Sequence, residues 1–440
     1  MIVLKKELSY TTMLDCLLIT FLIIEVSLLA TYERYVYGTW VTPLCVLALP
    51  YTFIVMIAEL FGPSLGFIPL YTESVIVWMI GLFLFWLSGQ FVALPHMKLV
   101  RKRTDVELPL RYEKASEIVV LLLAWICILI MGGKLLFILK TLGLQSVGTD
   151  HFAKLYGYGF AGHARVFSMG LMIFLIGNLR SNTHQALNIL TIAVLVCLYI
   201  FYPVKSWLII PILGGLIYRI ASRKSKISFY FVMLIFVFGL VAFFVFYLIE
   251  FGVKNVEILF DSRIYLELLQ HFGAYLFGGI LSLGDIMQKG TIYNLMGDPK
   301  VLLAPLYNLW AVLTSGDLIS PIQSYFSIVS LDGIQTSNVH TFFGAILINF
   351  GCFGSVGFVI CLGVLSYFFF ILANVSSNCW FMVMWSFIAA MLSLGWFEYY
   401  FWHLAAIEVP VYYTTLGLFF WANRVSKLLN ERHKVVHSSD

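Results

Sequence analysis

The sequence predicts an all-α protein, a polytopic transmembrane helical bundle of about eleven helices with one long structured loop on the outer face. Two observations carry this. Of 440 residues, 61% are hydrophobic and only 11% charged, where a soluble domain carries roughly 25% charged residues. Apolar windows of about 20 residues, the length a helix needs to cross a bilayer, also recur along the chain. A mean hydropathy of +0.93 means that the surface is buried in lipid rather than in one enlarged core. The chain reads as a single integral membrane domain over 1–440, without internal repeat or low-complexity segment. The formal charge of +4 is small, and no nucleic-acid partner is expected. The first apolar run is not followed by an A-x-A-like site, so it reads as a span and not as a cleaved signal. The seven cysteines show no CxxC or Cys/His metal spacing and read as small hydrophobes.

In chain order the spans fall at about 13–30, 40–61, 74–94, 117–139, 163–179, 186–202, 207–220, 227–250, 341–373, 380–402 and 404–422. The pair at 186–220 is short and divided by Tyr202-Pro203-Val204-Lys205-Ser206. Lysine and arginine bias sets the orientation. Residues 98–114 hold Lys98, Arg101, Lys102, Arg103, Arg111 and Lys114; residues 219–226 hold Arg219, Arg223, Lys224 and Lys226; the tail holds Arg424, Lys427, Arg432 and Lys434. With eleven spans, all three groups fall on one side, which is then cytoplasmic. The N-terminus then lies outside although it carries Lys5 and Lys6. Either the short tail is translocated, or the first three spans are drawn wrongly.

Two substantial loops face outward on this topology, 140–162 and 251–340. Within the second, "IYLELLQHFGAYLFGGILSLG" (264–284) and "VLLAPLYNLWAVL" (301–313) are amphipathic or apolar. Such segments lie along the membrane surface or dip into it. A long structured loop is where a site is expected.

Each candidate residue has a functional and a structural reading. Lys205 sits at a junction between two short apolar helices; it is either functional or a lysine snorkelling to the interface. Arg263, in "FDSRIYLELLQHFG", falls in the first turn of a helix, where the dipole favours acids. It either pairs with Asp261 or Glu267 or is kept for an anionic ligand, which a planar guanidinium grips with two bonds. His271 follows at i+8, roughly on the same face. Lys154, His163 and Arg165 lie in "FAKLYGYGFAGHARVF", where glycines permit a sharp turn. For His163 and Arg165 ordinary interfacial anchoring is the preferred reading.

His340 reads as a general base, a donor to a sugar, or a satisfied interface histidine. Asn338 and Thr341 stand beside it at a helix start, where polar side chains and free N–H groups make an anion or hydroxyl site. The glycines at 344, 351, 354 and 357 read as close helix packing. Glu398 and His403, in "GWFEYYFWHL", lie in an aromatic belt that can also stack on sugars, with Glu398 an acid, base or substrate ligand. No Walker, GxSxG or HExxH motif occurs, and no DxD-like acidic pair points to a metal-bound nucleotide sugar.

The order of these features resembles the Wzy-type O-antigen, or polysaccharide repeat-unit, polymerases of bacterial inner membranes. "KLYGYGFAGHAR" is similar to that family's Arg/Lys–Tyr–Gly-rich loop. "YPVKSWLIIPILGGLIYR" is similar to its Gly-Arg/Lys-Ser/Thr/Gly segment, with Tyr202-Pro203-Val204 replacing the usual glycine and Lys205 as the basic residue. "DSRIYLELL" resembles the arginine at the start of its large periplasmic loop. "SNVHTFFGAILINFGCFGSVG" (337–357) resembles its Asn-x-x-Thr and Asp/Asn-Phe-Gly-x-x-Gly signature, with Asn349 where Asp is frequent.

The resemblance implies a multi-pass inner-membrane enzyme with a GT-C-like bundle, no cofactor and no metal. Its substrate would be undecaprenyl-diphosphate-linked oligosaccharide, polymerised on the periplasmic face by transfer of the growing glycan to the non-reducing end of an incoming unit. A chain-length-regulating membrane protein would be a partner. Lys205 and Arg263, with Arg165, would meet the diphosphate; His340 would be base or orienter; Asn338 and Thr341 would hold sugar hydroxyls; Lys154, His271 and Glu398 would bind substrate. An O-antigen ligase and a lipid-linked oligosaccharide flippase or other transporter are the alternatives. Candidate charges gathered near one face favour an enzyme over a transporter.

Overall fold

The computed structural model describes residues 2–105, 114–147, 149–179, 184–202, 206–222, 262–290, 297–320, 326–376 and 378–437. Helices dominate: α1 (Ile2–Tyr37), α2 (Pro43–Phe61), α3 (Thr72–Ala93), α4 (Met97–Asp105), α5 (Lys114–Leu142), α6 (Asp150–Gly157), α7 (Phe160–Asn178), α8 (Gln185–Ile200) and α9 (Ser206–Ala221). After these come α10 (Ser262–Gln288), α11 (Pro299–Leu302), α12 (Ala304–Thr314), α13 (Phe342–Ser376), α14 (Cys379–Ser393) and α15 (Ala405–His437). Between α12 and α13 a small antiparallel pair, β1 (Ser327–Ile328) and β2 (Thr336–Ser337), sets Ser327 opposite Ser337.

Among the described residues six helical segments are long and apolar enough to cross a membrane: Cys16–Tyr37, Pro43–Phe61, Thr72–Lys102, Glu117–Leu142, Phe160–Asn178 and Phe342–Ser376. Three shorter apolar helices, Gln185–Ile200, Ser206–Ala221 and Cys379–Ser393, accompany them. Leu28, Phe91 and Leu129 stand exposed on such helices, as lipid-facing side chains do. By composition and by the length of these helices this is a predominantly helical membrane protein. The span expected at 227–250 lies outside the described residues. The segment expected at 341–373 is a helix broken at Gly351, and the one expected at 380–402 ends at Ser393 and turns.

The chain divides into two compact units. The first comprises Met1–Lys98, Lys226–Phe368 and Met391–Leu404. Thr42 caps α2, its Oγ1 accepting from the Cys45 N–H at 3.3 Å, with Pro43 pre-set for the first turn. Tyr51 of α2 stacks on Trp78 of α3 at 3.6 Å between ring centroids. A Cβ at Gly89 would stand 2.0 Å from the Tyr367 ring, so α3 has a notch in which α13 seats. α10 packs against α2 and α3 with Phe277, Ile280, Leu281 and Leu283 buried. Residues 264–284 are therefore part of this packed unit and not a separate surface segment; their apolar stripe meets protein.

The second unit comprises Leu99–Ser225, Phe369–Ala390 and Ala405–Asp440. Its centre is α7, buried on nearly every side, which marks a core helix. Cβ atoms at Gly170 and Gly177 would fall 2.1 and 2.2 Å from the rings of Tyr413 and Tyr218, so small residues let α15 and α9 approach it. Glu117 at the start of α5 accepts from the His184 backbone N–H at 3.0 Å and from Asn188 Nδ2 at 3.1 Å, tying α8 to α5.

Candidate functional site

The second unit holds the most informative polar group of the chain. Gly159 (φ 74°, ψ −156°) starts α7 in a conformation that only glycine adopts easily. The tight turn brings Gly162 against the Gly157 carbonyl and places Arg165 in the second turn of α7. The side chain is 7% exposed. Its guanidinium carbon lies 3.6 Å from the centre of the Tyr202 ring and 5.9 Å from that of Trp207. Nε and Nη1 are buried and have no hydrogen-bond partner among the described residues. Glu408 of α15 pairs with His163, two residues before Arg165: its Oε1 is 2.6 Å from His163 Nδ1.

The tyrosines around Arg165 are held by backbone. Tyr199 donates to the Arg165 carbonyl at 2.6 Å and is 2.9 Å from the Ser168 hydroxyl. Tyr156 donates to the Leu198 carbonyl at 3.1 Å, and its ring lies 6.4 Å from that of Tyr202. A desolvated cation–π contact contributes about 2 kcal/mol. That does not offset several kcal/mol for a buried, unpaired cation. A buried, unneutralised guanidinium of this kind is a candidate for an anionic partner. The interfacial-anchor reading of Arg165 fails on its burial; that of His163 gives way to a pair with Glu408. Lys154 is exposed on α6. Lys205 lies outside the described residues.

In the first unit the lip of residues 337–341 is closed. His340 is 1% exposed, and its Nδ1 lies 2.7 Å from the Ser282 hydroxyl of α10. Ser282 also reaches the Ser337 carbonyl at 3.5 Å, which leaves its oxygen free to accept from Nδ1–H. Nε2 then carries a buried lone pair without partner. Burial pushes the imidazole down to about 4, so the ring is neutral. His340 thus ties the start of α13 to α10. Ser282→Ala is expected to destabilise the protein by about 1–3 kcal/mol, the cost of orphaning a buried polar group. Thermal unfolding in detergent measures it, and an unchanged midpoint would remove this bond from the fold's support.

The free N–H groups expected at the start of α13 are already used. Thr341 N–H donates to the Phe397 carbonyl at 3.2 Å and Phe342 N–H to the Gly395 carbonyl at 2.7 Å. Gly344 N–H donates to Thr341 Oγ1 at 3.3 Å. Thr341, at φ 63°, caps the helix, its hydroxyl taken up by the Gly344 N–H. Asn338 is half-buried beside it.

Arg263 is in the first turn of α10, and its side chain lies outside the described residues. Residues 263 and 282 are 19 apart on one helix, roughly 28 Å at 1.5 Å per residue. His271 is half-buried and edge-on to Tyr275 at 5.0 Å.

Glu398 is half-buried in the turn after α14, between Phe397 and Tyr399, and burial raises its carboxyl from 4.5 to about 8. The raised value has a sign. The folded state holds this proton more tightly than the unfolded chain, so its contribution is fully present below pH 4.5 and is lost as pH rises through about 8. Glu398→Gln is expected to flatten this part of the stability–pH curve, measured as thermal midpoints from pH 4 to 9; parallel curves for the two proteins would refute it.

Among the described residues no group of three or more His, Cys, Asp or Glu is placed to hold a metal ion. Sequence reasoning passed over Glu33, a fully buried acid of α1, because the first span was drawn to residue 30. An acidic residue followed by Tyr35, Tyr37 and Trp40 was the available signal. No curated protein and no solved structure matches the chain. Residues 66–428 match the profile of a family of unknown function, DUF6337, and the chain belongs to that family.

Proposed function

We propose that this protein is a membrane glycosyltransferase that polymerises lipid-diphosphate-linked oligosaccharide, transferring a growing glycan from its polyprenyl diphosphate carrier to an incoming repeat unit. The observation that carries the reading is the buried, unpaired guanidinium of Arg165. A diphosphate leaving group needs fixed positive charge where negative charge develops, in a site from which water is excluded. Tyr202 fixes the guanidinium plane, so the donors are oriented before an anion arrives, and the cost of ordering them is already met. His340, sealed and neutral, is a positioning residue on this reading.

The test uses purified full-length protein with lipid-diphosphate-linked repeat units. Growth of the glycan in detergent, with no second compartment, is the expected result and excludes pure transport. Failure of any chain growth with a range of repeat units would overturn the reading. In cells, loss of the gene should leave single repeats attached to the lipid core, whereas loss of all attached glycan would assign a ligase.

A further inference from the structure

A second buried ionisable group, which the proposed transfer does not use, lies among spanning helices of the first unit. Glu33 sits one turn before Tyr37 at the end of α1, and its side chain is 0% exposed. Gln90 of α3 donates from Nε2 to Glu33 Oε1 at 2.8 Å, and Tyr37 donates to Gln90 Oε1 at 2.8 Å. That contact fixes the amide: its oxygen faces Tyr37 and its nitrogen faces the carboxyl. The Tyr367 hydroxyl of α13 donates to the same Glu33 Oε1. Both donors converge on one oxygen. The other, Oε2, is buried without a hydrogen-bond partner, although the Thr42 hydroxyl lies beside the carboxyl.

No cation answers this carboxyl among the described residues. Arg34, next in the chain, turns away and donates to the Gly38 carbonyl, over the Trp40 ring. The titratable groups that face Glu33 are Tyr37 on α1, Cys45 on α2 and Tyr367 on α13, while α3 contributes the neutral Gln90. None carries positive charge. An ionised carboxylate in such a place costs several kcal/mol. The smallest ligand that removes this cost is a proton.

We infer that Glu33 is a membrane-buried proton-binding site, a carboxyl that takes up one proton on Oε2, beside the Thr42 hydroxyl, to become a neutral acid while Oε1 keeps its donors Gln90 and Tyr367. Binding changes no other bond: the carboxylate and a proton give the carboxylic acid. The neutral acid is what lets α1, α3 and α13 close around it, and the site is independent of the glycosyl-transfer reading.

Infrared absorption of the purified full-length protein at neutral pH tests this. The spectrum of wild type minus that of Glu33→Gln is expected to show the carbonyl stretch of one protonated carboxylic acid, above the amide I band and shifted in heavy water. Glu25→Gln, an acid on the same helix, should leave that difference unchanged. Tyr367→Phe removes one donor to Oε1 and should move the band without abolishing it, which keeps the test alive if Glu33→Gln does not fold. A carboxylate band in place of the acid band would overturn the inference. So would a carboxylate band that responds to sodium and not to pH, which would assign the site to a metal cation.

Discussion

Arg165→Ala is expected to lower chain growth by about 10²–10³-fold, the usual cost of deleting one preorganised donor to developing negative charge, while leaving the protein folded. The second half of that statement discriminates. Arg165 Nε and Nη1 have no partner to orphan among the described residues, so removing the guanidinium leaves no unsatisfied group behind there. It takes away a buried, unneutralised charge and a ring contact with Tyr202 at 3.6 Å, effects of opposite sign. Arg165→Met fills the space with apolar volume and should hold or raise the thermal midpoint while activity collapses. Arg165→Lys keeps the charge but loses the planar fork and its stacking, and should fall between wild type and alanine. A structural arginine would behave in the opposite way, with midpoint and activity falling together. Full chain growth in Arg165→Met would remove the anion site from the proposed function.

The parts of the fold that lipid dictates were legible in the sequence. A bilayer accepts only long apolar helices with their backbone bonds closed, so windows at 40–61, 117–139 and 163–179 anticipate α2, α5 and α7 to within a few residues. What hydropathy cannot register is backbone direction. Residues 341–373 are uniformly apolar, and nothing in that average reports the break at Gly351. Site residues were legible as types and not as environments. Arg165 reads as an interfacial arginine because Tyr156, Tyr158 and Phe160 surround it in sequence, yet the Gly157–Gly162 turn carries it inward under Tyr202. His340 and Thr341 read as an open polar lip, and their burial follows from backbone bonds to Gly395 and Phe397, more than fifty residues away. Glu33 was missed because the window that found the first span stopped short of it. Its partners, Gln90 and Tyr367, come from distant helices, and pairing across such distances is not written in a periodicity.

Three glycines of α13, Gly344, Gly351 and Gly357, differ in physical cause, and substitution separates them. Gly351 has φ 64° and ψ −178°, a region essentially closed to residues with a Cβ, where occupancy costs about 1–3 kcal/mol. The break is built in: Ser355 Oγ lies 3.2 Å from the Ile346 carbonyl and 2.6 Å from that of Gly351, and Asn349 Nδ2 donates to the Ala345 carbonyl at 2.8 Å. Backbone groups released in a spanning segment need such replacement partners. Gly351→Ala is therefore expected to destabilise by about 1–3 kcal/mol, and Gly351→Val by more, since a β-branched side chain tolerates positive φ least. Gly344 differs: a Cβ there would meet Leu283 Cδ2 at 2.8 Å, an overpacking that a flexible leucine end can relieve in part. Gly357 differs again, with nothing within 4 Å and a place in the regular helix, so Gly357→Ala should be neutral or stabilising by up to about 1 kcal/mol. Thermal midpoints of the three alanine variants in detergent should fall in the order Gly357, Gly344, Gly351. If Gly351→Ala matched wild type, the chain could run through residue 351 as a continuous helix, and the segment from Phe342 to Phe350 would not be held apart by its own backbone.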